Sequence, residues 1–160
     1  MHFLLLCRQR SATPARCPHR KHTTAEGGGT RAIGAPVDGA VLSTSRLSGV
    51  SLYEPGALTI VAGAGTPLEE VEAALAVEGQ RLAFEPMDHR GLLGTEGTPT
   101  IGGAIAANVS GPRRIQAGAC RDGLLGVRFV DGAGRVLKNS VIIETTFFHP
   151  VGCVLRKVAV

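Results

Sequence analysis

The chain has 160 residues, 44% of them hydrophobic, with 22 Gly, one Tyr and no Trp. That is the length of about one domain, with a core of Ala, Val, Leu and Ile and much backbone in turns or close-approach loops. The net charge of +4 does not mark a nucleic-acid binder, because the excess sits on a tail: residues 1–25 carry Arg8, Arg10, Arg16, Arg20 and Lys21 without an acid, whereas residues 26–139 hold ten Lys/Arg against twelve Asp/Glu, a balance of −2.

The first segment, residues 1–25, reads as a disordered or foreign basic tail, or a transit-like peptide. Leu4, Leu5 and Leu6 are followed at once by Arg8 and Arg10, too short a run for a signal-peptide core. No apolar run reaches the roughly 18–20 residues of a membrane span, so no membrane span is expected. Cys7, Cys17, Cys120 and Cys153 form no C-x-x-C pair, and without a secretory signal no disulfide is expected. Cys17, His19 and His22 are read as part of the tail, and no metal site is expected.

The second segment, residues 26–139, opens with Gly27-Gly28-Gly29-Thr30. A glycine run lets successive backbone N–H groups point into one concavity, a nest that suits phosphate. Leu58–Ala62 predicts a strand by length and branching, and Gly63-Ala64-Gly65 a turn. Thr66, Pro67 and Glu69 then stand at the N-cap, first and third positions of a capping box, predicting a helix over 67–78. Leu68, Val71, Ala74 and Leu75 would form its apolar face and Gly79 its stop. Arg81–Phe84 predicts a short strand, completing a β-α-β unit, and Glu85–Pro99 a long loop.

A second glycine loop, Pro99-Thr100-Ile101-Gly102-Gly103, lies about seventy residues after the first and runs into a short helix of small residues, Ala104–Ala107. Two phosphate nests on one small domain suggest a ligand with two phosphates, such as a dinucleotide. Neither loop is a Walker A sequence, and neither is the G-x-G-x-x-G of a Rossmann unit. Gly126–Val130 and Arg135–Lys138, joined by Asp131-Gly132-Ala133-Gly134, predict an antiparallel hairpin. These elements give an α+β fold, not a doubly wound sheet. The third segment, residues 140–160, turns β-branched and aromatic and reads as foreign or divergent.

Three stretches, GGGTRAIGAPV (27–37), residues 58–122 and LLGVRFVDGAGRVLKN (124–139), resemble the PCMH-type flavin domain of the vanillyl-alcohol-oxidase family. The run from Phe84 to Asp122 resembles, within it, the FAD-binding subunits of bacterial glycolate oxidases. The resemblance implies two small α+β subdomains with FAD between them, here incomplete at both ends. It implies that Gly27, Gly28, Gly29 and Thr30 form one pyrophosphate loop, with Arg31 adding charge or lying solvated. Thr100, Ile101, Gly102 and Gly103 would form the other, and Ala106, Asn108 and Ser110 would run beside the flavin, Asn108 offering its amide. No histidine follows the first loop, so FAD would bind non-covalently.

The implied activity is oxidation of a small 2-hydroxy acid, glycolate to glyoxylate, with a second flavoprotein subunit and an iron–sulfur subunit as partners. The implied location is cytoplasmic, peripheral to the inner membrane through those partners. The alternative is a non-catalytic dinucleotide-binding or assembly module, or an inactive fragment. Glu26, where the family has an entry strand ending in Arg, would repel a diphosphate if it faced inward. No residue qualifies as a catalytic base. His89 is read as a loop residue before a base, Glu85 and Asp88 as exposed carboxylates before an acid–base pair, Arg113 and Arg114 as surface charge before a substrate or partner site, and Cys120 as a buried thiol.

Overall fold

The computed structural model describes residues 4–5, 22–31, 39–131, 134–140, 153–155 and 157–159. Readings that fall on residues 6–21, 32–38 and 141–152 lie outside the described residues. The strands are β1 (Leu4–Leu5), β2 (His22–Glu26), β3 (Gly39–Ser43), β4 (Val50–Glu54), β5 (Thr59–Ala62), β6 (Gln80–Leu82), β7 (Leu124–Val130), β8 (Val136–Ser140), β9 (Cys153–Leu155) and β10 (Lys157–Ala159). The helices are α1 (Leu68–Val77), α2 (Arg90–Leu93), α3 (Ile101–Ala106) and α4 (Arg114–Ala117).

A six-stranded sheet runs β1-β7-β10-β5-β4, with β8 also paired to β7. β2 and β3 form a separate parallel pair, and so do β6 and β9. This mixture of helices and small sheets is the α+β class that the sequence implies. The hairpin of β7 and β8 is antiparallel as expected, with Val127 opposite Asn139 and Val130 opposite Val136.

The core lies where α1 covers β5. Strand alternation buries Ile60 and Ala62, and helical spacing buries Val71 and Leu75. Leu82, Phe84, Ile101 and Cys120 complete the cluster, with Leu68 packed against it. Each fully buried aliphatic side chain contributes about 1.5–3 kcal/mol through burial.

Two local expectations are corrected. Helix α1 starts at Leu68 with Pro67 as its cap residue, and no side chain caps it. The capping box does not form because the Thr66 hydroxyl is used elsewhere. It donates to the Gly63 carbonyl at 2.7 Å and accepts from the Gly49 N–H at 2.9 Å, tying the entry of β4 to the turn after β5. The β-α-β unit is also not closed within one sheet. The free side of β5 is taken by β10, and β6 pairs with β9 instead. Gly79 does stop the helix, at φ +64.

Thr66 is fully buried, so removing its hydroxyl leaves the Gly49 N–H without that acceptor. Thr66→Val is expected to lower unfolding stability by about 1–3 kcal/mol. Thr66→Ser, which keeps the hydroxyl, should lose less than half as much. Urea unfolding of the two variants checks the ordering.

Candidate functional site

The second glycine loop is sewn to the turn that leads into α1. The Ile101 N–H donates to the Thr66 carbonyl and the Gly102 N–H to the Ala64 carbonyl, both at 2.9 Å. In return the Leu68 N–H donates to the Pro99 carbonyl at 2.9 Å. Thr100 caps α3, its Oγ1 accepting from the Gly103 N–H at 3.2 Å. The seam is so close that a Cβ on Gly102 would stand 2.6 Å from the Ala64 carbonyl oxygen and 2.7 Å from the Ala64 Cβ.

The first loop lies against the second. A Cβ on Gly28 would overlap the Thr98 carbonyl, and one on Gly97 would overlap the Gly28 carbonyl. A Cβ on Gly27 would stand 2.9 Å from the Thr100 Oγ1. The Thr95 hydroxyl also donates to the Thr30 carbonyl at 2.9 Å. Gly27, Gly28 and Thr100, far apart in sequence, therefore share one wall.

That wall borders a cleft of about 510 Å³ lined by Glu26, Gly27, Gly28, Ser43, Ser45, Ser48, Gly65, Pro67, Glu70, Thr98 and Thr100. Its volume falls within the roughly 300–1,000 Å³ usual for small-molecule sites. Among the described residues, the N–H groups of Gly27, Gly28, Gly29 and Thr30 have no protein acceptor. Gly29 takes φ +67, an alternation of backbone hand that suits a nest. The lining adds three serine hydroxyls and, among the described residues, contains no Lys, Arg or His.

The N–H groups of Ile101, Gly102 and Gly103 each have a protein acceptor and are not free for a phosphate. The second loop shapes the cleft and presents the Thr100 side chain to it, while the free backbone donors come from the first loop. Glu26 does line the cleft, as does Glu70. Arg31 is half-buried and forms no ion pair among the described residues.

Ala106, Asn108 and Ser110 are at the far end of α3 and do not line the cleft. Ala106 is exposed. Asn108 adopts φ +49, and its Oδ1 accepts from the Arg121 N–H at 3.1 Å. The Ser110 Oγ accepts from the Cys120 N–H at 3.1 Å. Both side chains brace the turn over Cys120–Gly123, so the Asn108 oxygen is committed, whatever its amide nitrogen does.

Glu85 and Asp88 do not pair as acid and base. Glu85 accepts from Arg113 and from Arg81, and its carboxyl is held below the usual range, first by the Arg113 hydrogen bond. Asp88 is lowered by its hydrogen bonds from Arg90. Arg113 is thus an exposed ion-pair partner, and Arg114 is exposed as well. His89 gives its carbonyl to the N–H groups of Leu92 and Leu93 at the start of α2. Burial, with Asp122 nearby, pushes the Cys120 thiol up to about 12. Sequence reasoning did not single out Ser43, Ser45, Ser48, Gly65 or Thr98 for the cleft. Only the Gly63-Ala64-Gly65 turn gave a signal, since a Cβ on Gly65 would overlap the Thr44 carbonyl.

The chain is thus an α+β domain in which two glycine loops wall one cleft. The FAD binding domain family matches residues 15–140, reaching into the basic segment before residue 26. The chain belongs to this family, and its cofactor is FAD. It is 42% identical over 106 residues to the glycolate oxidase subunit GlcE of Escherichia coli, covering 66% of this chain and 29% of that protein. It is 32% identical over 124 residues to a D-lactate dehydrogenase of Archaeoglobus fulgidus, covering 71% and 26%. It is 33% identical over 107 residues to a D-2-hydroxyglutarate dehydrogenase of Xanthomonas citri, covering 66% and 21%. The chain thus spans less than a third of the length of these relatives.

Gly102→Ala is expected to destabilise the chain by about 1–3 kcal/mol, the range for overpacking a close contact, with or without cofactor. Gly103→Ala meets only the Thr100 Oγ1, at 3.1 Å, and should be milder; thermal melts with and without FAD check both. Cys120 gives a pH signature. A thiol raised from 9.0 to about 12 adds stability that is complete below pH 9 and lost as pH rises toward 12. Urea unfolding from pH 8 to 11 should fall more steeply for the native chain than for Cys120→Ala.

Proposed function

We propose that this chain is the FAD-binding part of a flavin-dependent oxidoreductase acting on a small 2-hydroxy acid such as glycolate, giving glyoxylate. The observation that carries the reading is the convergence of the two glycine loops on one cleft, inside a chain of the FAD binding domain family. The relatives named for glycolate, D-lactate and D-2-hydroxyglutarate support the substrate class.

The residues present fit the diphosphate. Gly27, Gly28, Gly29 and Thr30 would receive it through backbone N–H groups, with Thr100 and the hydroxyls of Ser43, Ser45 and Ser48 at the walls. Gly102 and Gly103, with Ile101, would hold the second loop in shape. Arg31 would add charge at the exit of the first loop. Ala106, Asn108 and Ser110 would lie further along the path, with the Asn108 amide nitrogen toward the ring system. Binding would be non-covalent. When bound, the flavin supplies the hydride-accepting chemistry, and the protein positions it and excludes water.

A relative that is named a subunit supports an assembly. We place this chain beside a second flavoprotein subunit and an iron–sulfur subunit, in the cytoplasm. Among the described residues no helix is long and apolar enough to cross a membrane, so membrane association would come through the partners. The second reading, a binding module without turnover, is favoured by the cleft chemistry: among the described residues, its lining offers only the carboxylates of Glu26 and Glu70 as titratable groups.

The test is direct. The purified chain, mixed with FAD and freed of excess ligand, should retain a visible band near roughly 450 nm, as expected of a protein-bound flavin. A colourless but folded protein would reject the assignment. Reduction of that band by glycolate would favour the enzyme, and a band that no 2-hydroxy acid reduces would favour the module. Because Glu26 lines the cleft, Glu26→Gln should tighten FAD binding by about two- to fivefold at low salt, an exposed charge effect. The gain should shrink at high salt as screening sets in. Titration by flavin fluorescence at two ionic strengths checks both statements.

A further inference from the structure

The described part of the segment that looked foreign in the sequence pairs with strands of two different sheets. β10 is the centre of the main sheet. It pairs in parallel with β5, Val158 opposite Ile60, and in parallel with β7, Val158 opposite Leu124 and Ala159 opposite Gly126. One residue earlier in the chain, β9 pairs in parallel with β6, Gln80 opposite Cys153 and Leu82 opposite Leu155. Two strand triplets separated only by Arg156 therefore reach two different sheets.

Without β10, the facing sides of β5 and β7 would be sheet edges in the middle of the fold. Such edges carry unpaired N–H and C=O groups and readily take up an extended strand. β5 holds Ile60 at 0% exposure and Ala62 at 3%, so its surroundings are buried, where unpaired backbone groups are costly. β5 also leads without a break into Gly63–Thr66, whose carbonyls hold α3 and whose Gly65 lines the cleft.

We propose that residues 153–159 act as an intrachain clasp: they fill a strand-acceptor slot between β5 and β7, fasten β6 to the same segment, and thereby hold the cleft wall at Gly63–Thr66. The slot takes an extended segment in parallel register, and its occupant is this chain's own C-terminal segment. The clasp concerns the polypeptide alone and stands whether or not FAD is the ligand.

Two experiments on the full chain test it. The first uses the register of β6 and β9. Paired residues on neighbouring strands lie within the Cα separation that a disulfide spans. Gln80→Cys, treated with a mild oxidant, should give an intrachain cross-link from position 80 to Cys153, identified by peptide mass mapping. Lys138→Cys, on β8 and paired with Arg128, should give none. Absence of the cross-link in Gln80→Cys, or a cross-link between two chains, overturns the intrachain clasp.

The second experiment reads the coupling. Val158→Pro removes a donor and places proline in a central strand, where it is not tolerated. Hydrogen exchange should become at least tenfold faster at the amides of β5, at Leu124–Gly126, and at Gly63 and Gly65. The amides pairing β7 with β8 near Val130 should change less. Unchanged exchange at β5 and at Gly63 and Gly65 overturns the proposal. If the variant does not fold, the cross-link in the otherwise native chain decides.

Discussion

Three backbone hydrogen bonds between two turns organise this domain: Ile101 to Thr66, Gly102 to Ala64 and, in return, Leu68 to Pro99. They solve a problem common to both helices that start there. The first N–H groups of a helix have no acceptor within it, and α3 is only six residues long, too short to persist alone. Each helix start is satisfied by the turn before the other. The arrangement also places Ile101 at 0% exposure among Ile60, Val71 and Leu75, so the polar seam and the apolar core stabilise each other. It requires the two backbones to come closer than a Cβ at Gly102 permits.

The cationic side chains are arranged with equal consequence. Arg81 and Arg113 meet on Glu85, Arg90 on Asp88, Arg121 on Asp122 and Arg135 on Asp131. These pairs are largely exposed, so each contributes little stability. Glu85, where two of them meet, adopts φ +48, and its carbonyl lies against Gly111. Among the described residues, the lining of the cleft offers backbone N–H groups and hydroxyls as its donors. Such donors act at short range and fix where a phosphate oxygen sits, whereas a flexible lysine would only supply charge.

What the sequence showed was what is settled within a few residues. Helix α1, its Gly79 stop and the β7–β8 hairpin depend on spacing and turn chemistry, and they stand close to where those signals put them. The glycine loops were visible because their composition is unusual. Thr66 was misread because its partners, at Gly49 and Gly63, outcompete a local cap, and a partner 17 residues upstream leaves no local signal. The pairing of β6 with β9, and of β5 with β10, depends on chain more than sixty residues away. No periodicity in a three-residue strand announces such a partner.

The glycines show how one kind of residue serves two physical ends. A run without Cβ atoms is compatible with a phosphate nest and equally with tight contact between chains. Here the two roles separate by residue. Gly28, Gly97 and Gly102 lie against other backbone, at Thr98, Gly28 and Ala64 respectively. Gly29 has only the side chain of Glu26 near its Cβ position, and it takes the left-handed conformation at φ +67. The first group builds the wall, and Gly29 supplies the change of backbone hand in a loop whose N–H groups have no acceptor among the described residues. A ligand nest therefore needs glycines of both kinds, because donors hold an anion in place only if the loop carrying them is itself fixed.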